Sequence, residues 1–362
     1  MDLNQAPLFF LGANSPNGFV SRFESVYEKD GSWRAYIIKG GPGTGKSTFM
    51  KKLASLAMQM GTEVQLAPCS SDPMSLDAVI MPSIRCCFMD GTAPHAIEPK
   101  YPGVVERVIE LSACYSSDKL EKQAGDILKL YTENKQLHER AARYISAAGA
   151  LINDSCKLAL ECTDVPKTMR FAAQMAKREI PVIPDKRGKE QQRFISGITP
   201  LGMVFYKSTL EKLTDKSIVI QDENGAVSRV IMSVVRTVAL ESGQDIITCL
   251  CPFAAEKKID HIIIPALGLC FTTANSYHDR EGTERRIHAR RFTSAMALRL
   301  KKQRLSFNRR AARELIAGAA EVLGEAKACH DRLEKYYIDA MDYKELEKIL
   351  EKISLELTER AF

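Results

Sequence analysis

The segment PLFFLGANSPNGFV, from Pro7, returns as QRFISGITPLGMV, from Gln192, with Phe10, Pro16, Gly18 and Val20 falling on Phe194, Pro200, Gly202 and Val204 at one offset. The repetition continues along the chain. Gly61 and Cys69 fall on Gly243 and Cys251; Asp77, Pro82 and His95 fall on Asp260, Pro265 and His278 after one inserted residue; RAARYISAAGA from Arg140 resembles RAARELIAGAA from Arg310. Correspondence over such a length means that one folding unit of about 180 residues occurs twice, each copy long enough for its own core. The expected division of the 362 residues is a first copy over 1–180, a second over 193–362, and between them PVIPDKRGKEQQ, residues 181–192, whose prolines and charges read as a linker.

Each copy opens with apolar strand-like runs (YIIK from Tyr36, VQLA from Val64, AVIMP from Ala78, RCCFMD from Arg85), with a helix after the first. Residues 47–60 place Phe49, Met50, Leu53, Leu56 and Met60 at the spacing of an amphipathic helix. From Asp118 to about Leu160 no proline interrupts the chain, and Asp164 with Pro166 then starts a further helix near 165–179. The expected fold is therefore α/β: two parallel sheets in tandem, each followed by a long helical hairpin, over about 104–180 and about 303–360. The long helix either projects as an arm or folds back over the sheet.

Apolar residues make up 45% and charged residues 27%, the balance of an ordinary globular protein. No run approaches the roughly 18 apolar residues of a membrane span, and APLFFLGA lacks a basic leader, so a cytoplasmic protein with nothing removed is expected. The ten cysteines are scattered without a CxxC pair, which reads as free, mostly buried thiols rather than disulfides or zinc ligands. Net charge is a modest +6, but residues 279–313 hold twelve Lys or Arg against three Asp or Glu. That stretch reads as the solvated face of a helix; nucleic acid is the less favoured reading, because only Phe292 and Phe307 interleave it.

The sharpest chemical signal is Gly40, Gly41, Pro42, Gly43, Thr44, Gly45, Lys46, Ser47 and Thr48, which fits GxxxxGK[ST] between a strand and a helix. Its glycines let successive N–H groups turn inward on phosphate oxygens, and the helix that follows adds the positive end of its dipole. Lys46 would reach the β and γ phosphates of a nucleoside triphosphate, and Ser47 would hold Mg²⁺. Asp90, at the C-terminal end of RCCFMD, is the expected second group on the metal. Asp72 and Asp77 compete for that place, either one able to position water; His95 reads more readily as a loop residue.

The second copy tests these assignments. Laid onto it with the spacing of Gly61 on Gly243, the loop becomes Asp222, Glu223, Asn224, Gly225, Ala226, Val227, Ser228 and Arg229, without lysine and with two carboxylates where phosphates would lie. Asp90 maps to Thr273 and Asp72 to Ala254 or Ala255, whereas Asp77 and His95 keep counterparts. Residues lost together with the loop are the better candidates for nucleotide chemistry, so Lys46, Asp90 and Asp72 form the expected catalytic set.

The elements KGGPGTGKST, CSSDPMSLDAVIMP and MDGTAPH, in this order and repeated, resemble an uncharacterised family of bacterial two-copy P-loop ATPases within the P-loop NTPase superfamily. That resemblance covers nearly the whole chain and implies ATP binding with Mg²⁺ and hydrolysis. In that family both copies can carry a phosphate loop, so this chain departs from the pattern in its second half. The expectation is one working ATPase site beside a dead copy. A small-molecule phosphotransferase, or a nucleotide-dependent switch whose helical arms bind a protein partner, are the alternatives. An arginine from the second half (Arg229, Arg285 or Arg286) is a candidate for the γ phosphate.

Overall fold

The computed structural model describes residues 3–93, 97–279 and 285–361. In chain order it contains a hairpin (β1, Gly12–Ser15; β2, Gly18–Ser21), strand β3 (Arg34–Lys39), helix α1 (Lys46–Gln59), strands β4 (Gln65–Pro68), β5 (Leu76–Met81), β6 (Cys86–Asp90) and β7 (Glu106–Glu110), then helices α2 (Ser117–Glu121), α3 (Ala124–Leu160) and α4 (Val165–Glu179). After strand β8 (Glu190–Arg193) a similar order returns. It runs through the hairpin β9 (Ser196–Thr199) and β10 (Gly202–Phe205), helix α5 (Lys207–Leu213), strand β11 (Lys216–Gln221), helix α6 (Ala226–Glu241), strands β12 (Ile246–Leu250), β13 (Ile259–Ile264), β14 (Leu269–Ala274) and β15 (Arg285–His288), and helices α7 (Ala295–Leu300), α8 (Lys302–Ala340) and α9 (Tyr343–Ala361).

The two hairpins turn alike. Gly18 and Gly202 take φ of 99° and 89°, a region closed to most side chains, and Ser15 and Thr199 each donate a hydroxyl to the carbonyl of that glycine. Side by side they bring Phe10 and Phe194 together, each amide donating to the other's carbonyl at 2.7 and 3.0 Å. Residues matched by sequence thus meet across a local two-fold.

The first sheet runs β4-β5-β6-β3-β7, and the second runs β8-β12-β13-β14-β11-β15. Neither is purely parallel, which corrects the expectation. β5 is antiparallel to β4 and β6, and β13 to β12 and β14, because the connections are too short for a crossover helix. Only four residues, 82–85, join β5 to β6. The expected linker is also shorter than residues 181–192, since Glu190–Arg193 pairs in parallel with β12 at the sheet edge.

The long helices depart further from expectation. α3 has 37 residues and spans roughly 55 Å, too long to return over its own sheet. It packs instead along α8, antiparallel, with Ile127 and Leu130 against Cys329 and Leu333 at one end and Asp154 against Arg304 and Asn308 at the other. Ile145 and Ala148 meet Ile316 and Ala319 between them. Neither helix projects as a hairpin arm with the helix that follows it.

Those following helices change sides. α4 lays Ala172, Met175 and Ala176 on α6 and the second sheet, while α9 lays Leu346, Ile349, Leu350, Ile353 and Leu357 on α1 and the first sheet. Polar contacts fix the exchange: Tyr36 donates its hydroxyl to Glu356 at 2.8 Å, Arg107 pairs with Glu356 at 2.7 Å, and Arg360 donates to the carbonyls of Ile84 and Ser32. On the other side Glu179 at the end of α4 meets Lys216 at 2.6 Å and Arg285 at 2.8 Å. Each sheet is therefore closed by a helix from the other half of the chain.

The ten cysteines are unpaired, and all but Cys69 are buried. Among the described residues no helix is long and apolar enough to cross a membrane.

Candidate phosphate-binding site

β3 and β6 lie side by side in parallel, Ile38 opposite Asp90, so the loop after β3 and the carboxylate ending β6 emerge together at the C-terminal edge of the sheet. Residues 40–45 form the loop, and α1 begins at Lys46. Gly43 and Gly45 take φ of 69° and 83°, conformations that a side chain would strain. Thr44 pins the bend by donating its hydroxyl to the Gly41 carbonyl at 2.8 Å.

Lys46 is buried and faces into its own loop. Its Nζ donates to the carbonyls of Gly40 at 3.0 Å and Gly41 at 2.7 Å, and lies 3.7 Å from Oδ2 of Asp90. The other Asp90 oxygen accepts from the Thr92 amide at 2.8 Å and hydroxyl at 2.5 Å, which fixes the carboxylate beside the lysine. Ser47 accepts from the Leu76 amide at 2.9 Å, tying the first turn of α1 to β5 and leaving its hydroxyl proton and a lone pair. Thr48 is exposed.

Asp72 sits in the turn between β4 and β5. Its carboxylate accepts from the Met74 amide and the Ser75 hydroxyl, and it faces Lys327 of α8 at 3.8 Å. The structure thus joins Lys46 to Asp90 directly, whereas Asp72, in the turn that precedes β5, meets Met74, Ser75 and Lys327, and among the described residues no such contact joins it to Lys46 or Asp90. Asp77 is buried in β5, and His95 lies outside the described residues.

Sequence reasoning missed the groups that face this loop from the other half. A Cβ on Gly41 would stand 2.4 Å from the Tyr337 ring, one on Gly43 would stand 2.6 Å from the Glu334 carbonyl, and one on Gly45 would stand 3.2 Å from Leu346. The expected arginines lie elsewhere: Arg285 pairs with Glu179, Arg286 is in the same edge strand β15, and Arg229 is in α6 beside Cys156. The second half does reach the loop, but through the end of α8. Its basic stretch is partly neutralised as well, with Arg285, Lys301, Arg304 and Arg309 each meeting a carboxylate.

In the second half the loop is shorter. Four residues separate β11 from α6, against six between β3 and α1, and Gly225 with φ of 73° stands where Gly45 does. The ungapped alignment therefore shifts by two residues: Ala226, not Arg229 or Ser228, takes the place of Lys46. Asp222 supplies the anion itself, its carboxylate accepting from the Ser228 amide at 2.8 Å and the Asn224 amide at 3.3 Å. Asp222→Ala should cost about 1–2 kcal/mol of stability, read as a lowered denaturant midpoint; an unchanged midpoint contradicts this assignment.

Behind that loop lies a buried charged cluster. Burial works against the charge on Lys258, but Asp260 at 2.6 Å outweighs it and holds the ammonium above its usual range. Burial would raise the Asp260 carboxyl, yet Lys258 brings it down to about 2. His278, which pairs with Ser196 at 3.0 Å, is pushed down to about 4 by burial, against the pull of Asp260. A histidine whose folded pKa lies below its ordinary 6.5 is protonated first in the unfolded chain. Its contribution to stability is then complete above pH 6.5 and is lost as pH falls toward 4, a change of a few kcal/mol. The denaturant midpoint should be lower at pH 4.5 than at pH 7 in the native protein, and lower by less in His278→Gln; an equal drop in both would contradict this.

No protein-family model matches the chain, and neither a curated protein nor a solved structure matches it.

Proposed function

We propose that the protein binds Mg-ATP at residues 40–48 and hydrolyses it there, with one working site in the first half and none in the second. The observation that carries this reading is the pairing of Lys46 with Asp90 at the mouth of a strand–loop–helix unit, at 3.7 Å and largely shielded from water. Amides of the loop and of the first turn of α1 would take the phosphate oxygens, and Lys46 would exchange its two carbonyl partners for the β and γ phosphates. Mg²⁺ fits the remaining donors, the free lone pair of Ser47 and the carboxylate of Asp90, and when bound would neutralise charge on the phosphates. Asp72, restrained by its own turn, is the carboxylate available to orient water.

The second loop supports a single site, because Asp222 already occupies its helix terminus with a negative charge. Phosphate release measured for the native protein and for Asp90→Asn tests the reading. The variant is expected to turn over at least about a hundredfold more slowly. Equal turnover would remove Asp90 from the chemistry.

The switch reading has one specific observation in its favour. The helix lying against the loop, α8, is half of the two-helix spine that joins the sheets, so events at the loop can reach the other half. A small-molecule phosphotransferase would instead show ATP loss only with an acceptor present.

A further inference from the structure

The end of α8 rests on the phosphate loop at the glycines the loop cannot replace. Gly41 faces the Tyr337 ring and Gly43 faces the Glu334 main chain at distances that leave no room for even a methyl group. The Glu334 carboxylate itself is held below its usual range chiefly by His330, 3.4 Å from it on the preceding turn. The backbone of α8 thus lies directly against a loop residue of the kind whose amide binds phosphate. Lys46, meanwhile, is turned onto the carbonyls of its own loop rather than outward.

The second half shows the same crossing with different contents. There α3 passes the loop with Cys156, whose thiol donates to the Gly225 carbonyl, and with Ala159 packed on Ala226. Those side chains are small, and the loop's amides are met from inside by Asp222. In the first half the loop is met instead from outside, by the larger Tyr337 side chain and the Glu334 main chain of a neighbouring helix.

We propose that Glu334 and Tyr337 form a cover over the phosphate loop which a nucleoside triphosphate must displace, so that binding at the loop is coupled to movement of the corner between α8 and α9. The proposal rests on the reading of residues 40–48 as a nucleotide site. A triphosphate makes several charge-assisted bonds to the loop, where α8 supplies only packing contacts, so displacement favours the nucleotide once Mg-ATP is present. Its apparent affinity is reduced by the fraction of molecules in which the cover is closed. Displacement does not stay local. Tyr337 shares a 3.2 Å hydrogen bond with Tyr131 of α3 and packs edge-on against Tyr115, while Leu346 at the start of α9 reaches Gly45. Moving this corner therefore loosens the end of the spine and the first turn of the helix that closes the first sheet.

Titration of Mg-ATP into the native protein, Glu334→Ala, Tyr337→Ala, the double variant and Lys46→Ala tests the cover. The double variant should bind at least tenfold more tightly than the native protein, and hydrogen exchange in residues 330–346 of the native protein should accelerate when Mg-ATP is added. Affinity that is unchanged or weaker in the double variant, or exchange that is unchanged or slower, overturns the cover while Lys46-dependent binding leaves the site itself standing. Binding that is absent from every protein, or that ignores Lys46→Ala, overturns the nucleotide site and the cover with it.

Discussion

Leu357→Ala is expected to lower the free energy of unfolding by about 2–5 kcal/mol and to loosen the first sheet, although the residue lies at the far end of the chain from it. Leu357 is 2% exposed and packs with Ile353 in the cluster that holds Phe49, Leu53, Val79 and Phe88. Truncating it leaves a cavity between α9 and that sheet which rigid neighbours cannot fill. Hydrogen exchange should report faster opening of α1 and β3 than of α6 and β11. A loss confined to the second sheet, or one below about 1 kcal/mol, would contradict the exchanged packing.

The second large effect concerns the halves themselves. Residues 1–180 expressed alone should not form a stable unit, even though that length suffices for a core in an ordinary domain. Without α9, the apolar side chains of α1 and the first sheet are open to water, and α4 carries Ala172, Met175 and Ala176 with no α6 to cover them. α3 also loses α8, its partner along nearly its full length. Residues 181–362 should fail for the reciprocal reason, and co-expression of the two pieces should restore a soluble complex. A cooperative thermal transition in the isolated first piece, close to that of the whole chain, would show that the exchange contributes little.

Some of this was legible in the residues. A loop at residues 40–45 does lie between a strand and a helix, as its glycines indicate, and Asp164 caps α4, its carboxylate accepting from the Lys167 amide with Pro166 in the first turn. Asp90 meets Lys46 because a carboxylate ending a strand parallel to β3 has to emerge at the same edge. The reversed strand β5 was readable in principle from the four residues before β6, but apolar runs look alike in either direction. What the periodicity of α4 and α9 could not show is which sheet they cover. An amphipathic face fits any apolar surface of its size, and only the straight length of α3 and α8 carries each across. Glu334 and Tyr337 were invisible for that reason, lying nearly 300 residues from the loop they face, with no motif of their own.

We propose a single nucleotide site, the loop at residues 40–48. Calorimetric titration of Mg-ATP into the native protein and into Lys46→Ala tests it most directly. One equivalent bound by the native protein, and none by the variant at the same concentrations, is the expected result. Two equivalents, or binding that survives the loss of Lys46, would contradict it.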